Sequence, residues 1–315
     1  MAGRAEGTKP MQYAKSVVSA IRPRTLFASA CPVLITLSLL GTSDSYDLSI
    51  LNADAWSALV IAMLVQMLAN LNAVYSNFHR VFEPIKTGQA GASADNKIVI
   101  NLLTQTQVKR WSFVYFAVIL LCLVTSHVLH DKPVHVTGTM ALLASATFCY
   151  CRYGPQPSIM GLEELVFASA TGPIAMFSTA YFVVGEIPWS VAFYALPVTN
   201  FTLSFLIVKS AKDAPFARRM GRAKTSLALF LDFQWSYQFF LLLAAISYAM
   251  IFVLGTVLGH LGNFLLLATI AQLKDVSEDF RNEQMEHLPD AMAKLGATLG
   301  LGLTVSIAVC GSLLY

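Results

Sequence analysis

The sequence predicts an all-α integral membrane protein of nine transmembrane helices, and two observations carry that prediction: the scarcity of charge and the length of the uncharged runs. Of 315 residues, 56% are hydrophobic and only 12% charged. The mean hydropathy is +0.61. Soluble domains carry about a quarter charged residues, so the solvent for most of this chain is lipid. A helix crosses a bilayer with roughly 20 apolar residues. Runs free of charge cover 25–43, 55–78, 111–130, 133–151, 165–185, 187–208, 233–273 and 295–315. The run 233–273 holds 41 residues and is long enough for two helices, with a break expected at Gly255, Gly259, His260 and Gly262, because glycine weakens a helix. That gives nine segments.

The loop charges test the count. With nine spans, one face holds the N-terminus and the loops near 80–110, 152–164, 209–224 and 274–294, carrying five, five, one, six and three Lys/Arg. Only Lys132 falls on the other face, a split of 20 to 1. Basic residues are retained on the non-translocated side, so the N-terminus lies on the basic face and Tyr315 on the opposite one. The net charge of +3 is thereby a topological signal and not a nucleic-acid footprint.

Residues 1–24 read as a polar, basic N-terminal segment and 25–315 as one domain. The first apolar run starts at Thr25 and is long enough to span, so it is no cleaved signal peptide. A basic tail whose one acid is Glu6 is a weak mitochondrial address. The mitochondrial inner membrane is the expected compartment, with the ER, Golgi or plasma membrane as alternatives. Five cysteines, Cys31, Cys122, Cys149, Cys151 and Cys310, lie in or beside spans without disulfide or zinc spacing; they read as small packing residues. Glu163 and Glu164 stand at the basic-face end of the fifth run, where a polar interface explains them.

Two loops follow spans that end in polar residues. Asn70, Ala73 and Asn77 share a face of the second helix. Asparagines there either join helices or mark a site. The stretch from Arg80 to Arg110 is a long loop rich in small residues, the kind that is functional or disordered. The sixth span runs into Lys209, Lys212, Arg218, Arg219, Arg222 and Lys224, against the single acid Asp213. This is a dense anion-attracting patch, or the ordinary basic flank of a membrane helix.

These residues carry a resemblance. Ala20-Ile21-Arg22-Pro23-Arg24-Thr25 with Pro32-Val33, Asn70-Leu71 with Tyr75, Gly172-Pro173-Ile174-Ala175-Met176 with Gly185, and Phe280-Arg281, Leu288-Pro289 and Ala293-Lys294-Leu295 occur in the order and spacing of the UbiA superfamily of intramembrane prenyltransferases. The menaquinone-type branch is the nearest in pattern. The resemblance implies nine helices around a central cavity and two acidic loops, after the second and sixth helices, that hold Mg²⁺ on an allylic diphosphate while it ionises. The carbocation then attacks an aromatic quinone precursor.

The motif positions are degenerate. Where the first family motif has Asn-Asp-x-x-Asp and a later Asp, this chain has Ala73, Val74, Asn77 and Glu83, with Asp95 in a further acidic stretch. Where the second has an Asn pair, Arg-Asp and another Asp, it has Lys209-Ser210, Lys212-Asp213 and Ala217. Over 80–110 and 209–224, eleven Lys/Arg face Glu83, Asp95 and Asp213, a net of +8. The resemblance therefore implies a non-catalytic relative without cofactor. It would be an accessory subunit of a respiratory-type membrane assembly, with membrane-protein partners and a bound quinone or anionic lipid such as cardiolipin. Arg22, Tyr75, Lys209, Lys212, Arg218, Arg219, Arg222 and Lys224 are the candidate ligand contacts. The alternative is an active prenyltransferase, with Asn70, Asn77, Glu83, Asp95 and Asp213 at motif positions and Glu83 and Asp213 holding Mg²⁺.

Overall fold

The structure, a computed structural model, describes residues 10–23, 26–43, 46, 53–76, 103–153, 161–219 and 226–314. Its regular elements are all helical: α1 (Pro10–Ile21), α2 (Leu26–Gly41), α3 (Ala53–Ser76), α4 (Gln105–Leu129), α5 (Val134–Tyr153), α6 (Leu162–Ser169), a π-helical turn (Ala170–Ile174), α7 (Ala175–Val184), α8 (Trp189–Arg219), α9 (Leu227–Val257), a 3₁₀ segment (Leu261–Thr269), α10 (Ile270–Arg281) and α11 (Leu288–Leu314). Among the described residues six helical stretches are long and apolar enough to cross a bilayer, and Ser29–Gly41 and Val134–Tyr150 are shorter apolar helices.

The chain groups into two compact units. In the first, residues 1–27 and 60–155, α1 lies where the sequence reading has only a polar tail. Its Val17, Ala20 and Ile21 pack with Leu71 and Val74 of α3, with Leu103 and with Val108 of α4. The helix was missed because its buried stripe is short and interleaved with polar residues, one of which, Ser16, is itself fully buried. The helix α4 begins at Gln105, ahead of the expected 111. The Thr104 hydroxyl accepts from Gln107 N–H (3.3 Å) while the Gln107 side chain accepts from Thr104 N–H (2.8 Å), a reciprocal cap readable as T-x-x-Q. Lys109 and Arg110, counted above as loop charges, thus lie inside α4. Phe148 of α5 stacks on Phe116 at 4.7 Å and meets Phe113 at 5.4 Å.

The second unit, residues 28–59 and 156–315, centres on α8 and α9. Pro173 has no N–H for the helical ladder and clashes with the preceding turn; the chain widens into the π-helical turn there and continues. Gly172 in that turn approaches α8 so closely that a Cβ would stand 3.2 Å from Thr199 Cα. Gly185 ends α7 at φ 81, its N–H bonded to Tyr181 O at 3.0 Å, a left-handed cap that favours glycine. The long run breaks within the expected stretch: α9 ends at Val257 and Gly259 takes φ 73. Gly255 and Gly262 act differently, by allowing close packing. Their added Cβ atoms would meet Asn263 Cβ at 3.1 Å and Ser306 Oγ at 2.7 Å respectively.

Several helices overrun the charge-free runs. The helix α8 continues through Lys209 to Arg219, α9 begins at Leu227, and α11 begins at Leu288. Charge marks the edge of the apolar slab, not the end of hydrogen bonding, so a helix can project beyond it.

Candidate functional site: the polar end of α3 and the basic end of α8

The first-motif segment sits in the first unit. Asn70 is buried, accepts from Gln66 Nε2 at 3.2 Å and donates through Nδ2 to the Ile21 carbonyl at 2.6 Å. It therefore satisfies one of the terminal carbonyls that a helix leaves unbonded, those of α1. Arg22 follows at φ 54, outside the helical region. Tyr75 is half-buried against the α1–α3–α4 cluster. Asn72 is fully enclosed, and neither polar atom of its amide has a partner among the described residues. Asn77, Glu83 and Asp95 lie outside the described residues.

The second-motif segment belongs to the second unit. Lys209 and Asp213 are exposed on α8, and Lys212 Nζ donates to the Glu286 carbonyl at 2.7 Å, tying α8 to the connection between α10 and α11. Arg218 and Arg219 fall within α8, with side chains outside the described set. Arg222 and Lys224 lie outside it altogether.

Glu164 corrects the interface reading given above. It is only 5% exposed. Its Oε1 accepts from Ser210 Oγ at 2.8 Å and from Leu227 N–H at 3.1 Å. Its Oε2 is enclosed without a partner among the described residues. Sequence reasoning passed it over because a carboxylate at a span's end is ordinary; only packing reveals that it is buried beside α8 and α9.

A second polar cluster went unnoticed in sequence. Asn263 Nδ2 donates to Tyr194 OH at 2.8 Å, the Tyr194 hydroxyl lies 2.8 Å from His260 Nδ1, and Ser306 Oγ donates to Asn263 Oδ1 at 2.7 Å. The tyrosine oxygen accepts from the amide, so its one proton goes to Nδ1 of a neutral imidazole. Burial pushes the His260 pKa below its ordinary value. Outside the spans, Tyr46 OH donates to Glu186, and that bond, foremost, raises the tyrosine pKa.

Of the residues that would hold the implied Mg²⁺, only Asp213 is described; Asn77, Glu83 and Asp95 lie outside the described residues. Asp213, the one motif carboxylate on α8, has Lys209 and Lys212 within about one turn, and cations repel a divalent ion. Among the described residues no group of three or more His, Cys, Asp or Glu converges as a metal site.

The helices and their close-packed glycines define a multi-pass membrane protein of the UbiA fold. The UbiA homolog from Aeropyrum pernix K1 superposes with a TM-score of 0.66 over 89% of this chain and 97% of its own, at 14% identity. No family model matches the chain. In sequence it is 26% identical over 295 residues to the UbiA prenyltransferase domain-containing protein 1 homolog of Drosophila melanogaster, covering 91% of this chain and 77% of that one. It is 26% identical over 311 residues to UbiA prenyltransferase domain-containing protein 1 of Homo sapiens, covering 96% and 86%. The chain thus has the fold of the UbiA homologs, is similar in sequence to UbiA prenyltransferase domain-containing proteins, and is a multi-pass integral membrane protein.

Proposed function

We propose that this protein is a non-catalytic UbiA-type subunit of a membrane assembly, sited in the mitochondrial inner membrane, whose basic α8 end holds the phosphate headgroup of an anionic phospholipid. The carrying observation is the chemistry at the end of α8. Lys209 and Lys212 precede Asp213 by four positions and one, and Ala217 stands where the family pattern has a further acid. Asn70, at the other motif, is engaged by the α1 carbonyl. A site of this sign attracts phosphate and repels Mg²⁺. Arginine forks pair with phosphate bidentately, and basic pockets on this side of a membrane suit cardiolipin-type headgroups.

Purified protein is incubated with isoprenyl diphosphates, Mg²⁺ and candidate aromatic acceptors. No metal-dependent transfer is expected. Turnover that Asp213→Ala or Glu83→Ala abolishes would overturn the reading. It would establish instead the second reading, an active aromatic prenyltransferase with Glu83 and Asp213 as ligands, which the names of the sequence relatives favour. Neutralising Arg218, Arg219 and Arg222 together is expected to lower copurifying acidic phospholipid. Unchanged lipid content, complex size and thermal stability would reduce the patch to a topology signal.

A further inference from the structure

Trp189, Phe193, Leu196 and Asn200 recur at helical spacing and form one stripe of α8. The first three are 80%, 47% and 51% exposed and Asn200 is half-buried, so in a bilayer the stripe faces lipid. Trp189 opens the helix and suits the membrane–water interface. Asn200 lies about 16 Å deeper at the helical rise, close to the midplane of a hydrocarbon core about 30 Å thick. On α9, Met250, Val253 and Val257 form a matching stripe, with Val253 52% and Val257 72% exposed. Asn200 Nδ2 reaches Met250 Sδ at 3.8 Å, so the two stripes lie side by side.

The amide is poorly provided for at this depth. A thioether is a weak acceptor, and Asn200 Oδ1 has no partner among the described residues. Neighbouring polar groups on α8 are satisfied within the helix: the Thr199 and Thr202 hydroxyls donate to the Ala195 and Val198 carbonyls at 2.6 and 2.9 Å. A primary amide open to hydrocarbon is costly unless it is bonded, and asparagines in membrane helices bond across to other helices.

We propose that the α8–α9 seam is the contact surface for a second copy of this chain, centred on a reciprocal amide pair between Asn200 and the partner's Asn200. A two-fold axis along the membrane normal keeps both copies in one orientation and sets a residue on the axis against itself at the same depth. Such a residue must be self-complementary. A primary amide meets that demand, because each Nδ2 donates to the other Oδ1 and both carbonyls are satisfied together. Met250 is unbranched and adaptable, so it turns aside at little cost. Phe193, Leu196 and Val253 supply the apolar surround. The contact goes beyond the function proposed above and is independent of catalysis and of any lipid at the basic end of α8.

The test uses full-length protein without native cysteines, labelled with donor or acceptor dye at an added C-terminal cysteine. It is reconstituted in phosphatidylcholine vesicles, and energy transfer is followed across protein-to-lipid ratios. Wild type is expected to self-associate. Asn200→Leu removes two interhelical bonds and is expected to weaken association about ten- to three-hundredfold. Leucine suits a lipid-facing stripe, so the monomer's packing is retained. Asn200→Gln keeps the amide and should stay within about fivefold of wild type. Separately, Asn200→Cys as the single cysteine is expected to cross-link between copies under oxidation, whereas Leu142→Cys, 69% exposed on α5, is not.

A wild type that stays monomeric at every ratio overturns the proposal, including the case in which a different membrane protein or a lipid hydroxyl covers the amide. A dimer that Asn200→Leu leaves intact, or equal cross-linking at positions 142 and 200, overturns it as well. If Asn200→Leu does not fold, the cross-linking of Asn200→Cys decides alone, and its absence is fatal.

Discussion

Asn263 is the junction at which three helices meet, and replacing it measures how far that junction holds the second unit together. The residue is 1% exposed. Its amide gives one bond to Tyr194 of α8 at 2.8 Å, takes one from Ser306 of α11 at 2.7 Å, and reaches the Ile251 carbonyl of α9 at 3.5 Å. Asn263→Ala removes both short bonds. Interhelical hydrogen bonds in membrane bundles average about 0.6 kcal/mol and reach about 1.7 kcal/mol each. The expected loss is therefore about 1–3 kcal/mol. Tyr194 still donates to His260 and the Ser306 hydroxyl can turn to its own helix, so the larger penalty of buried groups left without partners does not apply in full. Ser306→Ala is expected to lose one bond's worth. The double variant should show a coupling of about 0.6–1.7 kcal/mol, because both single changes delete the same bond. Equilibrium unfolding in mixed micelles, followed by far-ultraviolet circular dichroism, gives these values. A loss below about 0.5 kcal/mol for Asn263→Ala, together with additivity in the double variant, would refute the assignment of Asn263 as a junction.

The other predictions concern packing, pH and topology. Gly172→Ala should destabilise by about 1–3 kcal/mol, since the new Cβ meets Thr199 backbone at 3.2 Å, whereas Gly138→Ala, with nothing within 4 Å, should be neutral or slightly stabilising; paired thermal melts check both. The depressed His260 pKa means that the fold holds a neutral imidazole. Its stability should be complete above the ordinary histidine value of about 6.5 and fall as the pH drops through that value toward the folded one. Denaturation midpoints across that range, flattened in His260→Gln, test the sign. In a background free of native cysteines, Gly88→Cys and Glu283→Cys should label from one face of the membrane and Asp131→Cys from the other. Labelling of Gly88→Cys and Glu283→Cys from opposite faces would break the topology drawn from the basic split.

The membrane class and the positions of most spans were legible because both follow from additive properties of consecutive residues. Lipid excludes charge, and apolar length alone decides whether a helix can cross. The break near Gly259 was legible for a related reason, since glycine weakens a helix whatever surrounds it. Helix ends were read less well. Charges at Lys109, Lys209 and Lys294 suggested boundaries that hydrogen bonding ignores, and the Thr104–Gln107 cap was present in the sequence but overlooked. Only tertiary structure decided what individual polar side chains do. Asn70 could have been a motif residue or a helix linker, and its amide proves to hold the end of α1, 49 positions away in sequence. Glu164 read as an interface charge, yet it is buried against Ser210 and Leu227. The roles of Tyr194, His260, Asn263 and Ser306 likewise depend on one another, because a hydrogen bond needs two groups brought within about 3 Å. Hydropathy and charge belong to each residue singly and survive in a linear reading, whereas a partner is a property of the pair and exists only once the helices have packed.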